Sequence, residues 1–480
     1  MPFSNLSRRS FFSLASSTAA AAALPVSFIS KAAAEGEGSG ARVLARIDGL
    51  NESIEQALKF QNFMMDAYAS GSTLRLIQSY SDGGLQSTSF TYDNAVSIHG
   101  YLAAGGDSNV ERARILGESL LYAQRTNVPI ADGRFAQAYF VNTPARDGSG
   151  AYITPAAAPF YFYTSAVGDQ AWAGMALAKL YAHTQEQAFL TGALWVANWI
   201  VDNAYSTSGA GGFSFGTNIN QYNQSVPSGN GKATEHNIDT YAFFTMLHTL
   251  TDGGSANNGM YWAALAEHAR TFVLAMYNAK GPFFWTGTQP NGVDINYYPV
   301  PEDCQTWSYL ALLDTNLGKT IDWATANLET TDTASAPHSS LTGSQQVHGL
   351  VFDTASLNSG ADDQHAVWLE GTSHGIAALI ARILHGGVHG RRMVADVMQT
   401  MDLLKNCMIA QQQLGGGQKV GGKLIPPGSG LVAATSVMDT GFGYTYGPSL
   451  HIGATGWYLI ANHAANPFRL ADSEDEGRFD

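Results

Sequence analysis

The chain has 480 residues, a formal net charge of −14 at pH 7, and only 13% charged side chains beside 11% aromatic ones. An acidic chain without a basic run is poorly suited to nucleic acid or to an anionic membrane surface, so neither is a predicted partner. Two cysteines, Cys304 and Cys407, are too few for a disulfide framework and lack the spacing of a metal site. They are predicted to be independent buried thiols, although an oxidising compartment would allow one bridge between them.

The N-terminus carries an export pattern. Residues Ser7–Phe12 (SRRSFF) resemble a bacterial twin-arginine motif, and an Ala- and Leu-rich stretch from Leu14 to Ile29 ends in the small residues Ala32–Ala34. Pro25 and several hydroxyl side chains interrupt the apolar stretch, which argues against an anchoring helix. We predict a signal peptide at residues 1–34 and a periplasmic or secreted mature protein without stable membrane insertion.

The rest of the chain repeats one pattern, in which a polar, glycine-rich loop leads into an apolar helix and an amphipathic helix follows. The apolar helices are predicted at residues 93–104, 169–181, 235–250, 303–313, 368–384 and 452–465. The amphipathic helices are predicted at residues 45–69, 108–124, 186–204, 258–278, 319–329 and 390–412.

This alternation predicts an all-α (α/α)6 toroid. Helices that are apolar on every side are buried on every side, whereas amphipathic helices bury one face, so the first set forms an inner ring and the second an outer ring. The ring closes if the helix at 45–69 packs beside the helix at 452–465. One toroid domain is predicted at residues 35–468, followed by an acidic tail at 469–480, and the protein is predicted to be a monomer.

The layout resembles the six-hairpin glycosidase superfamily, which includes inverting glycoside hydrolases and some polysaccharide lyases. The resemblance covers most of residues 45–465 and is one of architecture, since no complete catalytic signature of a single family is matched. It implies a carbohydrate substrate. The roles of individual residues are therefore argued from their chemistry.

Long loops precede the inner helices at residues 131–168, 208–234, 281–302 and 414–450. Because all of them lead into inner helices, they are expected to crowd one rim of the ring, some as short strands. Their aromatic and amide side chains suit a neutral, hydroxyl-rich ligand, although aromatic side chains also pack simply to cover a rim.

The inner helices of a toroid begin at one end of its central cavity, so their first turns are expected to meet there. The acids placed in this way are Asp93, Asp169, Glu235, Asp239, Asp303 and Glu370. Glycoside hydrolysis needs one protonated and one ionised carboxyl group, held about 6.5–9.5 Å apart in inverting enzymes. The walls of a ring cavity can provide that separation.

Glu235 and Glu370 are the predicted catalytic pair. Asp239 lies one helical turn beyond Glu235 and is predicted to tune it, because two close carboxyl groups can share a proton. No Lys or Arg lies within four residues of Glu370, and Asp93 is the predicted substitute base.

Acids in a first turn also complement the helix dipole, so each of these carboxylates has a structural alternative. Asp169 and Asp303 are predicted to be helix caps.

The predicted substrate-binding residues are His236, Asn237, Tyr241, Trp172, Trp307, Gln305, Trp368, His374, Tyr446 and Trp457. Structural histidines and inner-helix packing explain several of them equally well. No metal is predicted, because a site built from His236, Asp239 and His374 lacks the usual metal-ligand spacing. No cofactor is predicted either, because no phosphate loop or dinucleotide fingerprint is present.

We therefore predict an exported, inverting glycoside hydrolase that acts on a neutral or microbial polysaccharide or oligosaccharide. A polysaccharide lyase on the same toroid is the alternative, with His236, Asn237 and Tyr446 in its site. It suits an acidic chain less well, because lyases of acidic polymers usually need a basic cleft. A non-catalytic glycan-binding protein is the remaining alternative.

Overall fold

The structure is a computed structural model that describes residues 47–470 except 84, 86, 127–129, 156–164, 220–223 and 359. The predicted signal peptide at 1–34 and the acidic tail beyond residue 470 lie outside the described residues. Part of the predicted aromatic loop at 131–168 is also outside them.

Twelve α-helices occur in the described part of the chain. They are α1 (Leu50–Met65), α2 (Thr91–Ala104), α3 (Asp107–Thr126), α4 (Val167–Thr184), α5 (Gln187–Ala204), α6 (Thr234–Leu250), α7 (Trp262–Ala275), α8 (Asp303–Leu312), α9 (Gly318–Leu328), α10 (Leu369–His385), α11 (Gly390–Gln413) and α12 (Ile452–Asn462).

Burial separates these helices into two sets. In α10 every residue from Leu369 to Ile383 is buried. In α5, by contrast, the buried residues include Phe189, Ala193 and Val196, at the spacing of a single helix face. This difference confirms the predicted distinction between inner and outer helices.

The even-numbered helices form a closed inner ring. Each packs on the next, in the order α2, α4, α6, α8, α10 and α12, and α12 packs on α2. Helix α1 packs against α12 and α11, so it takes the outer position beside the last inner helix. The predicted (α/α)6 toroid is confirmed, including its closure by the first helix.

The predicted helix ends differ from the observed ones by a few residues. The first helix was expected at 45–69 but begins at Leu50, because Gly49 has the left-handed φ of 81° and breaks the helix there. The helix expected at 258–278 begins at Trp262, since the chain before it forms a turn that is closed by a bridge between Ser255 and Tyr261.

Sixteen short strands lie in the described connections. They are β1 (Thr88–Phe90), β2 (Ala138–Phe140), β3 (Thr154–Pro155), β4 (Ser165–Ala166), β5 (Gly216–Ile219), β6 (Ser225–Pro227), β7 (Tyr277–Asn278), β8 (Phe283–Phe284), β9 (Gly287–Thr288), β10 (Ile295–Asn296), β11 (Glu329–Thr333), β12 (Gln346–Leu350), β13 (Lys419–Val420), β14 (Lys423–Leu424), β15 (Met438–Asp439) and β16 (Thr445–Tyr446).

The strands brace the loops that lead into the inner helices. Strands β1, β2 and β3 form one antiparallel sheet, with Thr88 opposite Phe140, and β4, β5 and β6 form another. The other strands pair as hairpins. Strand β1 runs directly into α2 and β4 directly into α4, so each sheet fixes the point at which an inner helix starts.

A C-terminal segment packs beneath the cavity. The Phe468 ring lies 5.3 Å from that of Trp172, 5.5 Å from that of Trp307 and 6.4 Å from that of Trp457. Lys179 Nζ on α4 donates a hydrogen bond to the carbonyl oxygen of Asn466 at 2.6 Å, which holds the segment in place. The three tryptophans and Phe468 therefore form a floor inside the ring.

Cys304 and Cys407 are both free and buried, which confirms that they are independent thiols. Within the described residues, no helix combines the length and the apolar character needed to cross a membrane.

Candidate active site

Inner helices carry acids in their first turns. Phe90, Ala166, Ala233 and Trp368 are extended residues that precede α2, α4, α6 and α10, so each helix starts abruptly. The first-turn acids are Asp93, Asp169, Glu235, Asp303 and Glu370.

The electrostatic influence of these acids on one another shows that they converge. The pKa of Glu235 responds to Asp303, Asp169 and Glu370, which come from three other inner helices. These first-turn acids of different inner helices therefore lie close enough to influence one another.

The acids divide into two groups with different surroundings. We call Asp169, Glu235, Asp239 and Asp303 the acid half of the site. We call Asp93, Glu370, His374 and His451 the histidine half.

The pKa values of the carboxyl groups in the acid half are raised, which favours their protonated form. Burial and the neighbouring Asp303 raise the pKa of Glu235 well above its usual value. Burial and Glu235 do the same to the pKa of Asp239, and burial with Asp93 raises the pKa of Asp169 to about 8. Asp239 is fully buried, whereas Glu235 remains partly exposed. Glu235 therefore combines a raised pKa with partial exposure, and a proton donor needs both.

Glu370, in the histidine half, is held ionised. The Tyr92 hydroxyl donates a hydrogen bond to Glu370 Oε1 at 2.5 Å, and His374 Nε2 lies 3.8 Å from the same oxygen. His451 Nδ1 lies 3.4 Å from Glu370 Oε2. Burial alone would raise the pKa of Glu370, but the two histidines and Tyr92 outweigh it and hold that pKa below its usual value.

A second buried acid, Glu302, lies beside the other ring nitrogen of His374. His374 Nδ1 lies 3.0 Å from Glu302 Oε2, and neither side chain is exposed. Burial disfavours the imidazolium, but Glu302 and Glu370 outweigh it and raise the pKa of His374 to about 9. His374 is therefore a buried cation between two carboxylates at neutral pH.

His451 links the two carboxylates of the histidine half. Its Nε2 lies 3.2 Å from Asp93 Oδ2, and its ring stacks on Tyr80 with 4.3 Å between the ring centres. Its Nδ1 accepts a hydrogen bond from the backbone N–H of Ala454 at 3.2 Å, which caps α12.

Gly453 makes room for this group of side chains. A Cβ atom at Gly453 would lie 2.6 Å from His451 Cε1, 2.7 Å from Asp93 Oδ1 and 3.0 Å from Glu370 Oε2. Contacts under 3.0 Å require a displacement, so the absence of a side chain at 453 lets the three groups meet.

Two of the predicted substrate-binding residues have structural roles instead. Asn237 Oδ1 accepts a hydrogen bond from the N–H of Phe213 at 2.7 Å, and its Nδ2 donates to the carbonyl oxygens of Phe213 and Ala233. Gln305 Oε1 likewise accepts a hydrogen bond from the N–H of Phe284 at 2.8 Å, and its Nε2 donates one to the carbonyl oxygen of Phe284 at 2.9 Å. Both side-chain amides therefore hold the backbone of rim loops, and the prediction that they contact the substrate is corrected.

Tyr241 also lies away from the acids. Burial raises the pKa of its hydroxyl, and its charged neighbours are Arg469, Arg270 and Glu267, of which the last two belong to outer helix α7. The predicted substrate contact of Tyr241 is corrected for this reason.

Trp172, Trp307 and Trp457 lie one helical turn deeper than the acids and form the floor described above. Trp457 Nε1 donates a hydrogen bond to the Tyr92 hydroxyl at 2.8 Å, so the floor also orients the donor to Glu370.

Three other predicted binding residues lie at the starts of inner helices or in a rim strand: His236, Trp368 and Tyr446. Tyr446 stacks on Trp368 with 6.0 Å between ring centres. Burial lowers the pKa of His236 to about 4, so this imidazole is neutral, and its ring lies 4.7 Å from the exposed Phe215.

The sequence pattern missed three residues of the site, Tyr92, Glu302 and His451. Each directly precedes a position that marked the start of a predicted helix, so a window that began one residue earlier would have included all three. Asp169 and Asp303 were predicted to be caps, but the residues at the N-cap positions of their helices are Ala166 and Glu302, and neither side chain makes a capping bond. Both aspartates belong to the acid half, and Asp303 Oδ1 also accepts a hydrogen bond from the first-turn N–H of Cys304 at 2.5 Å.

Among the described residues, no group of three or more His, Cys, Asp or Glu side chains is arranged to hold a metal ion.

No protein-family model and no curated protein sequence matches the chain. Solved structures match most of it. A D-mannose isomerase is 10% identical with a TM-score of 0.57, covering 87% of this chain and 97% of that one. A cellobiose 2-epimerase from Spirochaeta thermophila is 10% identical with a TM-score of 0.55, covering 87% and 97%. An alpha-mannanase of glycoside hydrolase family 76 from Bacteroides thetaiotaomicron is 12% identical with a TM-score of 0.51, covering 86% and 95%.

The fold is shared with these enzymes. All of them are (α/α)6 toroids, so the resemblance to six-hairpin glycosidases holds at the level of the fold. At such low identity, the chemistry has to be argued from this chain's own side chains.

Proposed function

We propose that the protein is a glycoside hydrolase that acts on a neutral polysaccharide or oligosaccharide, with Glu235 as the proton donor and Glu370 as the base. One observation carries the proposal: the starts of two inner helices bring together one glutamate whose pKa is raised and another whose pKa is lowered. Two carboxyl groups with pKa values pushed apart are what acid/base hydrolysis of a glycoside requires.

In the proposed reaction, Glu235 protonates the glycosidic oxygen as the bond to the anomeric carbon breaks. Glu370 removes a proton from the water that attacks that carbon. Burial, Asp303 and Asp169 favour the protonated form of the donor, and Glu235 in turn raises the pKa of the buried Asp239. The Glu370 carboxylate is bound by Tyr92 and flanked by two imidazoles, which suits a fixed base that orients water, so we propose inversion.

A neutral substrate fits the charge of the site. Neither half contains a lysine or an arginine that could bind the carboxylates of a polymer of uronic acids, which disfavours the lyase alternative. Exposed aromatic side chains in the rim loops offer faces on which sugar rings can stack. They are Phe215, Tyr297, Tyr298, Phe442 and Tyr444.

Export remains part of the proposal. It rests on the Arg8-Arg9 pair and the apolar stretch after it. Replacing both arginines by lysine is expected to keep the protein in the cytoplasm of a bacterial host, and wild-type localisation of that variant in cell fractionation would contradict a twin-arginine route.

The experiment is a glycan panel with matched variants. Release of reducing ends is measured on α-mannan, β-mannan, β-glucan and cello-oligosaccharides. Glu235→Gln and Glu370→Gln are each expected to lower kcat by about 10²–10⁴-fold. Glu267→Gln, on the exposed face of α7, is the control and is expected to retain wild-type activity. Activity in both site variants would rule out this pair, and an unsaturated product with ultraviolet absorbance would indicate a lyase.

A second candidate is a sugar isomerase or epimerase. The observation that favours it is the pair of imidazoles beside Glu370, since histidines can move a proton at the carbon next to a carbonyl group. The mannose isomerase and the cellobiose epimerase share the fold. Incubation with mannose and with cellobiose in D2O separates the two functions, because only isomerisation, at C1 of the ketose product, or epimerisation, at C2, incorporates deuterium without breaking a glycosidic bond.

A further inference from the structure

Glu302 is a buried acid that neither caps its helix nor reaches solvent. It occupies the N-cap position of α8, but its side chain makes no capping bond and none of that side chain is exposed. The backbone of Glu302 is held separately, since its N–H donates to the carbonyl oxygen of Phe352 at 2.9 Å. The side chain accepts a hydrogen bond from His374 Nδ1 at 3.0 Å. Burying an acid is costly in free energy, so this partner indicates where the acid acts.

The imidazole of His374 connects Glu302 to the proposed base. Its second nitrogen, Nε2, lies 3.8 Å from Glu370 Oε1, which is an ion-pair distance. A carboxylate, an imidazole and a second carboxylate therefore form a chain from the start of α8 to the start of α10. At most 2% of any of the three side chains is exposed. Because water is excluded, their charges act on one another more strongly than they would at the surface.

Tryptophan rings hold this imidazole in place. The ring centre of His374 lies 4.3 Å from that of Trp457, 5.0 Å from that of Trp307 and 5.1 Å from that of Trp368. The angles between the ring planes are 65°, 61° and 85°, so the neighbours surround the imidazole at steep angles. A ring packed in this way has little room to turn, and its two nitrogens stay directed at the two acids.

We propose that Glu302 is a positioning residue for the proposed base: it holds His374 as an imidazolium beside Glu370, and the imidazolium keeps Glu370 ionised and in place. This role rests on the proposed function, because it concerns the base of that reaction. Glu302 acts only through His374, since it is fully buried and binds the ring nitrogen that is remote from Glu370.

The charges of the pair depend on each other. Burial would lower the pKa of His374, but Glu302 and Glu370 outweigh it and raise that pKa to about 9. Burial raises the pKa of Glu302, and His374 opposes that rise. Each group therefore favours the charged form of the other.

Other titratable groups also face this chain, and only one of them can supply a positive charge. Asp303 on α8 is close enough for His374 to oppose the rise of its pKa. Around Glu370, the Tyr92 hydroxyl of α2 donates to Oε1, and His451, which precedes α12, lies 3.4 Å from Oε2. His374 is therefore one of two imidazoles that balance the acids here, and it is the one that Glu302 controls.

Loss of the Glu302 charge has a consequence that depends on pH. Glu302→Gln keeps an oxygen that can accept the hydrogen bond from Nδ1, but it removes the negative charge. A close opposite charge changes a pKa by about 1–3 units, so the pKa of His374 is expected to fall by that amount from its value of about 9. The variant then loses the imidazolium at a pH where the wild type keeps it.

The kinetic test compares Glu302→Gln with the wild type at two pH values, on the panel glycan that is hydrolysed fastest. The loss is expected in kcat, with KM near the wild-type value, because the imidazolium acts on the base. We expect kcat to be lower by about tenfold at pH 8 and by no more than about twofold at pH 5.5, where His374 is protonated in both proteins. Equal losses at both pH values would overturn the proposal, because a purely structural defect does not follow the charge of His374.

Two further variants separate charge from packing. Glu302→Asp keeps the negative charge, so it is expected to keep the wild-type dependence of kcat on pH. Asp396→Asn removes a buried carboxylate that binds Arg382 at 2.7 Å, in the last turn of the same inner helix α10. It is expected to lower Tm and to leave the dependence of kcat on pH unchanged.

Nitrogen-15 NMR of the histidine-labelled protein tests the pair without a substrate. We expect an imidazolium signal that persists to about pH 9 in the wild type and disappears at lower pH in Glu302→Gln. His348, in a surface ion pair with Asp402, also has a pKa of about 9, but its signal should not move in that variant. If no signal moves, the proposal is overturned. If Glu302→Gln does not fold, His348→Asn replaces it, and the absence of any imidazolium at pH 8 in His348→Asn would overturn the proposal.

Failure of this inference is distinguishable from failure of the proposed function. Wild-type kcat at pH 8 in Glu302→Gln, together with inactivity of Glu370→Gln, would overturn the positioning role and leave the proposed function standing. Activity of Glu370→Gln would instead overturn the proposed function itself.

Discussion

At the residue scale, Glu370 and Glu235 occupy equivalent positions in their helices but have different neighbours. Each is a glutamate in the first turn of an inner helix. Tyr92, His374 and His451 surround Glu370, whereas Glu235 has acidic neighbours. The sequence could place both glutamates in the cavity, because each lies at the start of an apolar helix. It could not assign their charges, because the deciding neighbours are distant in sequence and belong to other helices.

Tyr92→Phe tests this difference directly. Removing the hydroxyl deprives the ionised Glu370 of a donor, so the pKa of Glu370 is expected to rise. Hydrogen bonds to charged groups contribute about 1.5–3 kcal/mol, so a loss of at least about tenfold in kcat/KM is expected. The measurement is the kinetics of the folded variant on the active panel glycan.

Tyr101→Phe is the matched control for that variant. It removes a buried hydroxyl from the same helix, but that hydroxyl bonds to Asn62. It is expected to leave kcat/KM near the wild-type value. Equal losses in the two variants would mean that the Tyr92 bond has no special role.

At the scale of elements, the starts of the inner helices determine the site. Helix α12 shows why these starts were hard to predict: the apolar pattern begins at Ile452, but the functional side chain is His451, in the capping position before it. Glu302, just before α8, and Tyr92, in the first turn of α2, also lie one residue before the predicted helix starts, so the pattern did not include them. Hydrophobic periodicity identifies the body of a helix, whereas the caps depend on loops from elsewhere in the fold.

Gly453→Ala is expected to disrupt the histidine half. The new Cβ would approach His451, Asp93 and Glu370 at 3.0 Å or less, so at least one of them must move. Overpacking of this kind costs about 1–3 kcal/mol in the free energy of unfolding. We expect a folded protein whose kcat is reduced by about 10²-fold, because small displacements in a site can cost that much.

Gly416→Ala provides the comparison, because a Cβ there meets no atom within 4 Å. Chemical denaturation and steady-state kinetics measure both effects. Wild-type kcat in Gly453→Ala would show that the histidine half tolerates displacement and would contradict the proposed geometry.

At the scale of the whole molecule, the alternation of apolar and amphipathic helices was enough to predict the toroid. Helix α10 is buried on all sides and lies in the inner ring, whereas α5 is buried on one side and lies in the outer ring. Tyr241 and Asn237 show the limit of this reasoning. Both lie on inner helix α6, but one faces an outer helix and the other a rim loop, and helix periodicity does not distinguish these directions from the cavity.

Stability is expected to fall as pH rises. Asp169 and His374 have pKa values raised to about 8 and about 9 in the fold. A raised pKa contributes stability that is fully present below the unfolded value and is lost as pH rises through the folded value. For Asp169 the loss extends from about pH 4 to 8, and for His374 from about 6.5 to 9. We therefore expect Tm to be higher at pH 5 than at pH 9.

Asp169→Asn is expected to flatten this dependence, because it removes one of the carboxyl groups that must ionise. Asp48→Asn, at an exposed position before α1, is the control and is expected to keep the wild-type slope. Thermal denaturation across the pH range measures both, and a Tm that rises from pH 5 to pH 9 would contradict the assigned protonation states.

The central claim is that Glu235 is protonated and Glu370 ionised in the same cavity at neutral pH. Infrared difference spectra at pH 7 between the wild type and each glutamine variant test it without a substrate. Glu235→Gln is predicted to remove a band of a protonated carboxyl group, and Glu370→Gln is predicted to remove a carboxylate band. Loss of a carboxylate band in Glu235→Gln, or of a protonated band in Glu370→Gln, would contradict the account.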